Sequence, residues 1–235
     1  MDNIISSIGT ANISVPAARL SILASAGALI FLGSLHMLCP EFDPSWRMVS
    51  EYALGRYSVA LSLMFISWAI GTWALAFAIR NQVTTRWGKI GLGFLVASGG
   101  GEFSAAFFDI THPLHGLTAM IGGPSLPIAA MIISVHLGRT QPWGYARKKL
   151  LLAANLTWIA VVLFAITMII FFTTYSQAGG DLSGEPVSTL PDGVIAINGW
   201  ANRLWVITYC VWTITTALES IQIQNTNRQS EPKSY

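Results

Sequence analysis

The sequence predicts an all-α integral membrane protein, a bundle of six transmembrane helices with both termini on the cytoplasmic side. Its composition points to a membrane, because 53% of the 235 residues are hydrophobic and 10% are charged. About a quarter of the residues of a soluble domain are charged. The apolar residues also gather in runs of about 20, the length that a helix needs to cross a bilayer. Backbone groups in lipid have no water to bond, so each run is predicted to be a helix.

Six apolar runs divide the chain. They cover residues 18–38, 58–79, 88–108, 114–137, 150–174 and 200–220. We therefore expect a cytoplasmic N-terminal segment at 1–16, a six-helix transmembrane domain at 17–222 and a cytoplasmic polar tail at 223–235.

The basic residues predict the orientation of the bundle. Loops 80–89 and 138–149 carry seven Lys and Arg, and Arg19 and the tail bring one side to ten of the thirteen. Lys and Arg are enriched on the cytoplasmic side of membrane proteins, so this side is predicted to lie inside. The slight net positive charge follows from this arrangement and predicts no nucleic-acid partner. The opposite side holds the acids Glu41, Asp43, Glu51, Asp109, Asp181, Glu185 and Asp192.

The segment FFDITHPLHG, residues 107–116, places three titratable side chains between two apolar runs. These are Asp109, His112 and His115. Glu102 precedes Asp109 by about two helical turns, so it is predicted to lie roughly 10 Å below the outer surface on the same helix face. A carboxylate at that depth costs about 2–3 kcal/mol if it faces lipid. We therefore expect Glu102 to face the interior of the bundle, to be protonated or to have a partner.

The other outer helix ends add further polar residues. The first run delivers His36, the loop after it ends with Ser50 and Glu51, and the last run opens with Asn202 and Arg203. The predicted outer face thus gathers His36, Ser50, Glu51, Asp109, His112, His115, Asn202 and Arg203.

The fourth run contains GGPSLP, residues 122–127. Two prolines and two glycines favour either close packing with a proline kink or a broken helix that lines a cavity.

Three segments resemble a bacterial membrane family, domain of unknown function 998. LHMLCPEFDPSWRMVSEYALGR (35–56) is similar to its Pro–acidic–Ser–Glu segment, and FFDITHPLHGLT (107–118) to its Phe–x–Asp…His–Gly segment. GWANRLWVITYCVW (199–212) is similar to the Gly–x–x–x–Arg start of its last helix. The chain departs from the family where members often place another His after His–Gly, since Thr118 and Ala119 follow here. The resemblance implies a multi-pass protein of the bacterial cytoplasmic (inner) membrane and implies no activity.

The polar cluster allows three interpretations. A membrane-embedded metal or acid–base hydrolase would use Asp109, His112 and His115 as candidate ligands, with zinc as the candidate metal. A transporter or receptor-like bundle would use Glu102 and the histidines to carry or sense a proton. In a purely structural cluster, Asp109 would cap the fourth helix or pair with Arg203. His115 would bond a backbone carbonyl, and Glu51 would pair with Arg47 or Arg56.

We expect an outward-facing polar pocket bounded by the first, third, fourth and sixth helices, which binds or processes a small molecule or lipid. Acid–base or ligand work is assigned to Asp109 and His115, with Glu51 orienting a histidine. The binding residues would be Arg203, His112, His36, Ser50, Glu102 and Asn202. The sequence leaves open the substrate, the cofactor, the oligomeric state and the choice between enzyme, transporter and binding protein.

Overall fold

The computed structural model describes residues 13–181, 187 and 189–230 of the chain. The predicted N-terminal segment up to residue 12, Glu185 in the long loop and Lys233 in the tail lie outside the described residues. Two short 3-10 helices, Val49–Leu54 and Gln141–Ala146, stand between the long helices. The long helices are α1 (Val15–Leu38), α2 (Ser58–Ile79), α3 (Arg86–Ala105), α4 (His115–Leu137), α5 (Arg147–Gln177) and α6 (Asn198–Ser230). The prediction of an all-helical chain is confirmed for these residues, which contain no strand.

Five of the six helices, all but α3, are long and apolar enough to cross a membrane. The α3 helix carries Arg86, Lys89 and Glu102 together with six glycines, which make it less hydrophobic than the others. Large apolar side chains such as Leu23, Ile30 and Ile169 are exposed and do not line the cavity described below. Exposed apolar faces on several long helices are the pattern of a multi-pass membrane protein.

The helices form a ring in chain order. Each packs against the next, and α6 closes the ring against α1. The α6 helix also contacts α2 and α4, so the first half of α6 faces the interior of the ring. We call the end that holds the C-terminus of α1, the α3–α4 connection and the N-terminus of α6 the Arg203 end.

Polar contacts close the opposite end of the bundle. Lys149 Nζ on α5 lies 2.8 Å from Glu219 Oε1 on α6. The backbone N–H of Ile13 donates to Gln224 Oε1 at 3.1 Å. The α6 helix continues to Ser230, so the segment 223–235, predicted as a polar tail, begins as part of this helix.

The α4 helix is continuous from His115 to Leu137, although Pro124 and Pro127 lie inside it. Of the two alternatives for GGPSLP, the continuous helix therefore contradicts the broken helix and agrees with close packing. Pro127 has no N–H, so it cannot bond the carbonyl of Gly123 four residues before it. The hydroxyl of Tyr209 on α6 donates to that carbonyl instead. The proline thus frees an acceptor, which α6 uses to dock against α4.

The glycines of α3 and α4 let the two backbones touch. A Cβ added to Gly101 would lie 2.5 Å from Gly122 Cα, and one added to Gly122 would lie 3.1 Å from Gly101 Cα. Small residues allow membrane helices this close approach. The contact lies beside Glu102, so it also fixes the position of that carboxyl group.

Gly101→Ala is expected to lower the free energy of unfolding by about 1–2 kcal/mol, because the added methyl group forces two backbones apart. Gly100→Ala is the matched control, since a Cβ at Gly100 meets nothing within 4 Å. It should be neutral or stabilising by about 0.5–1 kcal/mol, the usual gain for Ala over Gly in a helix. Equilibrium unfolding in mixed micelles measures both. Equal stability of the two variants would contradict the backbone contact.

Candidate functional site

A buried arginine organises the Arg203 end. Arg203 Nε donates to His36 Nε2 at 2.6 Å, and Arg203 Nη2 donates to the Tyr52 hydroxyl at 2.9 Å. Arg203 Nη1 donates to the carbonyls of Arg47 at 2.6 Å and Gly199 at 3.0 Å. Arg203 is 2% exposed, so these bonds replace the water that its guanidinium gives up. We call Arg203 and these four partners the Arg203 clasp.

The clasp fixes the tautomer of His36. Arg203 can only donate, so His36 Nε2 must accept. The other ring nitrogen, Nδ1, then carries the hydrogen and donates to the carbonyl of Leu32 at 2.7 Å. His36 is therefore a neutral acceptor in this arrangement, held between its own helix and α6.

The segment before the first 3-10 helix is held by two acids. Glu51 accepts from Arg47 Nη1 at 2.5 Å and from the Met48 backbone N–H at 2.9 Å. Hydrogen bonds from the backbone and side chain of Ser45 hold the pKa of Asp43 below its usual value, and Arg203 adds a smaller electrostatic contribution in the same direction. Glu51 thus binds Arg47, one of the two partners that the structural interpretation expected.

Gly199 makes room for the clasp. A Cβ at this position would lie 2.5 Å from the Pro44 carbonyl oxygen and 2.8 Å from that of Arg47. Its backbone N–H donates to the carbonyl of Ser45 at 2.9 Å. The α6 helix therefore begins directly on the backbone of the segment 44–47, four residues before Arg203.

The connection between α3 and α4 forms a separate polar group. Asp109 is exposed and accepts from the Thr111 backbone N–H at 2.9 Å and the Thr111 hydroxyl at 2.6 Å. These bonds, the side-chain one first, hold the pKa of Asp109 below its usual value. His112 accepts from the Leu114 N–H at 3.2 Å, and His115 Nδ1 lies 2.8 Å from the Phe108 carbonyl oxygen. No hydrogen bond or ion pair joins Asp109 to Arg203 among the residues that the structure describes.

A cavity of about 420 Å³ lies between the clasp and this connection. It is bounded by the first 3-10 helix and by α2, α3, α4, α5 and α6. The polar residues of its wall, apart from tyrosine and tryptophan, are Ser50, Glu102, His115, Thr118 and Asn202. Its aromatic residues are Phe65, Trp68, Phe164, Trp205 and Tyr209. The rest of the wall is aliphatic or glycine, so the cavity is largely apolar.

Glu102 is the acid of the cavity. It is 6% exposed, and each of its carboxylate oxygens accepts one hydroxyl. The Thr72 hydroxyl on α2 donates to Oε2 at 2.8 Å, and the Ser98 hydroxyl on α3 donates to Oε1 at 2.9 Å. No Lys, Arg or His side chain pairs with it within the described part of the chain. The prediction that Glu102 faces the interior therefore agrees with its position.

The aromatic residues of the wall contact one another. Trp68 packs edge-on against Tyr209, with ring centroids 5.9 Å apart, and stacks with Phe65 at 6.3 Å. Trp205 packs against Tyr209 at 5.7 Å and against Phe164 at 5.1 Å. The indole N–H groups of Trp68 and Trp205 are buried and have no acceptor in the described structure. The result is an aromatic wall with two unused donors.

The structure divides the predicted site residues between the cavity and its surroundings. Ser50, Glu102, His115 and Asn202 line the cavity. His36, Glu51 and Arg203 belong to the clasp region, and Asp109 and His112 lie in the exposed connection. The predicted wall of the first, third, fourth and sixth helices needs correction, because α1 contributes no lining residue, whereas α2 and α5 do.

The candidate metal ligands do not converge. Among the described residues, no group of three or more His, Cys, Asp and Glu side chains could hold a metal ion. Asp109, His112 and His115 each bond groups of their own connection instead. The acid–base roles of Asp109 and His115 and the orienting role of Glu51 stay predictions.

The comparison with protein families decides the membership of the chain. A family model described as "Protein of unknown function (DUF998)" matches residues 22–219. The chain belongs to the DUF998 family. No curated protein and no solved structure matches this DUF998 chain.

The three segments that resembled DUF998 meet at the Arg203 end. Segment 35–56 supplies His36, Arg47 and Tyr52 to the clasp, and segment 199–212 supplies Gly199 and Arg203. Segment 107–118 lines the neighbouring cavity with Ile110, His115 and Thr118. The Gly–x–x–x–Arg spacing of this DUF998 member has a physical reason, since the glycine carbonyl accepts from the arginine one turn later.

Some residues of the site escaped the sequence analysis. Ser98 lies four residues before Glu102, so helical spacing alone could have placed its hydroxyl on the same face. Thr72, Trp68 and Tyr209 lie in apolar runs of other helices and carried no local signal. Their approach to Glu102 depends on the order of helices around the ring.

Proposed function

We propose that this DUF998 protein is a bundle that binds a small molecule or lipid in the cavity beside Glu102. The observation that carries the proposal is a buried carboxyl group in the wall of an otherwise apolar, aromatic cavity. Ligand sites combine a mostly apolar wall with a few polar groups that orient the ligand. Here Glu102, His115, Ser50 and Asn202 would supply those groups.

The size of the cavity suits a small ligand. Its 420 Å³ lies within the range of about 300–1,000 Å³ that is usual for small-molecule sites. A whole phospholipid would not fit, so a lipid would bind with one chain or its headgroup inside. The His115 and Ser50 side of the cavity would be the mouth through which the ligand enters.

The basic residues support an orientation for this site. Loops 80–89 and 138–149 lie at the end opposite Arg203, so the positive-inside bias would place that end in the cytoplasm. All six helices would then span the membrane, with both termini inside and the cavity open outward. The membrane would be the bacterial cytoplasmic membrane, as the family resemblance implies.

Binding or transport is better supported than hydrolysis. A hydrolase needs a nucleophile hydrogen-bonded to a base, which a third group orients. In the described structure no hydrogen bond joins Ser50 to His115, and His115 bonds a backbone carbonyl rather than an acid. Glu102 is held by two hydroxyls at the wall of an apolar space, which suits recognition of a ligand.

Ala105→Phe is expected to abolish binding, because Ala105 lines the cavity and the larger ring would fill it. Native mass spectrometry of the protein purified in a mild detergent measures the retained small molecules. The wild type should retain a bound molecule and the variant should lose it.

Ala165→Phe is the matched control, since Ala165 is exposed on α5 and does not line the cavity. It should retain the same molecule as the wild type. Retention by Ala105→Phe, or loss in both variants, would refute the cavity as the binding site.

A further inference from the structure

We propose that the ligand of this cavity is an organic cation, an amine or quaternary ammonium carried on an apolar or aromatic body, with Glu102 as its counter-ion. The inference rests on the proposed binding function and adds the charge of the ligand.

Glu102 has no positively charged partner among the described residues. Its carboxyl group is buried between α2, α3 and the cavity, and it receives two hydroxyl bonds, from Thr72 and Ser98. Hydroxyls solvate a carboxylate but do not neutralise it. A buried ionised carboxylate needs a cation or a proton. No described side chain provides the cation, so the cavity is the side from which one can come.

The helices around the cavity place few charged side chains in its wall. The lining residues of α2, α5, α6 and the first 3-10 helix include no Lys, Arg or acid, and α3 provides Glu102 alone. On α4 the titratable residue is His115, whose Nδ1 is engaged by the Phe108 carbonyl. Arg203 donates to its four partners in the clasp and does not line the cavity. Among the described lining residues, His115 is the one basic side chain that could pair with Glu102 in place of a cationic ligand. An anionic ligand would be repelled by an ionised Glu102.

The aromatic wall of the cavity can attract a cation. Trp68 and Tyr209 line the cavity with their ring planes inclined by 71°, and Trp205 packs edge-on against Tyr209. Aromatic faces attract ammonium groups through their quadrupole, and Trp does so best. The Tyr209 hydroxyl donates to the Gly123 carbonyl, so its oxygen keeps lone pairs for a ligand N–H. A carboxylate beside such faces is the chemistry that recognises an organic cation.

The test compares a cation with a neutral molecule of the same shape. Phenyltrimethylammonium and tert-butylbenzene differ in one atom, nitrogen for carbon, and therefore in charge. Isothermal titration of the purified full chain in a neutral detergent measures both affinities. We expect the wild type to bind the cation at least about tenfold more tightly.

Glu102→Gln keeps the size and polarity of the side chain but removes its charge, so it should erase this preference. Glu102→Asp retains the charge and should keep part of it. Glu219→Gln, which removes a buried acid at the opposite end, is the matched control and should keep all of it. Thermal unfolding checks that each variant is folded. If Glu102→Gln does not fold, the comparison of the two ligands on the wild type still tests the proposal.

The outcomes separate the two proposals. Equal affinity of the wild type for the two ligands, or an unchanged preference in folded Glu102→Gln, would overturn the cationic ligand and leave a binding cavity. Binding of neither ligand would overturn both the cationic ligand and the binding cavity.

Dodecylphosphocholine below its micelle-forming concentration carries the same trimethylammonium group beside a phosphate. Tighter binding of it would assign the cation to a lipid headgroup, and weaker binding would assign it to a free amine.

Discussion

Arg203→Ala should lower the free energy of unfolding by about 3–5 kcal/mol, because four acceptors lose a charged donor in a buried place. His36, Tyr52 and the carbonyls of Arg47 and Gly199 would be left without their partner. The substitution also removes the link between α1, the segment 44–52 and α6. Equilibrium unfolding in mixed micelles measures the loss.

Two further variants separate the clasp from the charge alone. Arg56→Ala removes an exposed arginine of the same predicted side, whose recorded contact is with the Tyr57 ring, and should cost less than about 0.5 kcal/mol. Arg203→Lys keeps the charge but lacks the planar fork, so it should recover less than half of the stability. A cost for Arg203→Ala as small as that for Arg56→Ala would contradict the clasp.

The double variant Thr72→Val, Ser98→Ala should lower the free energy of unfolding by about 3 kcal/mol, because it strips Glu102 of both hydroxyl donors. The two hydroxyls belong to different helices and converge on one carboxyl group. Their removal leaves a buried acid with no hydrogen bond from a side chain. Unfolding in mixed micelles again measures the effect.

The same two substitutions in a Glu102→Leu background test the cause. Once the carboxyl group is absent, the hydroxyls have nothing to solvate, and we expect their removal to cost less than about 1 kcal/mol. A loss of the same size in both backgrounds would show that the hydroxyls stabilise the helices independently of Glu102.

The helices were predictable because each apolar run is long enough to indicate a helix without information from the rest of the chain. The predicted runs and the observed helices overlap throughout, from 18–38 within α1 to 200–220 within α6. The choice left open at GGPSLP, between close packing and a broken helix, has a physical reason. Local sequence shows that Pro127 removes a backbone bond, but not that Tyr209, 82 residues later, replaces it.

The site was predictable in part. Glu102 could be assigned to the interior because a carboxyl group is costly in lipid, and His115 because its segment joins two runs at the same end. Helix-end position could not show that Arg203 faces α1 whereas His115 faces the cavity. That distinction depends on the rotation of each helix, which the packing of Gly101 on Gly122 and of Gly199 on the segment 44–47 determines.

The Arg203 end thus contains two polar groups with different physical roles. In the clasp every described acceptor of Arg203 lies within 3.0 Å of it, which fixes helix ends in place. Beside the cavity, the carboxyl group of Glu102 has two hydroxyl partners and no cationic partner among the described residues. Polar groups that already satisfy one another stabilise a fold, whereas a carboxyl group without a cation in a cavity wall is available for a ligand.

An experimental structure of the protein in lipid, with phenyltrimethylammonium present, tests the central claim most directly. We expect non-protein density inside the cavity, in contact with Trp68 and Tyr209 and with its positive group at Glu102. Density confined to the outer, lipid-facing surface, or a cavity closed by its own side chains around Glu102, would contradict it.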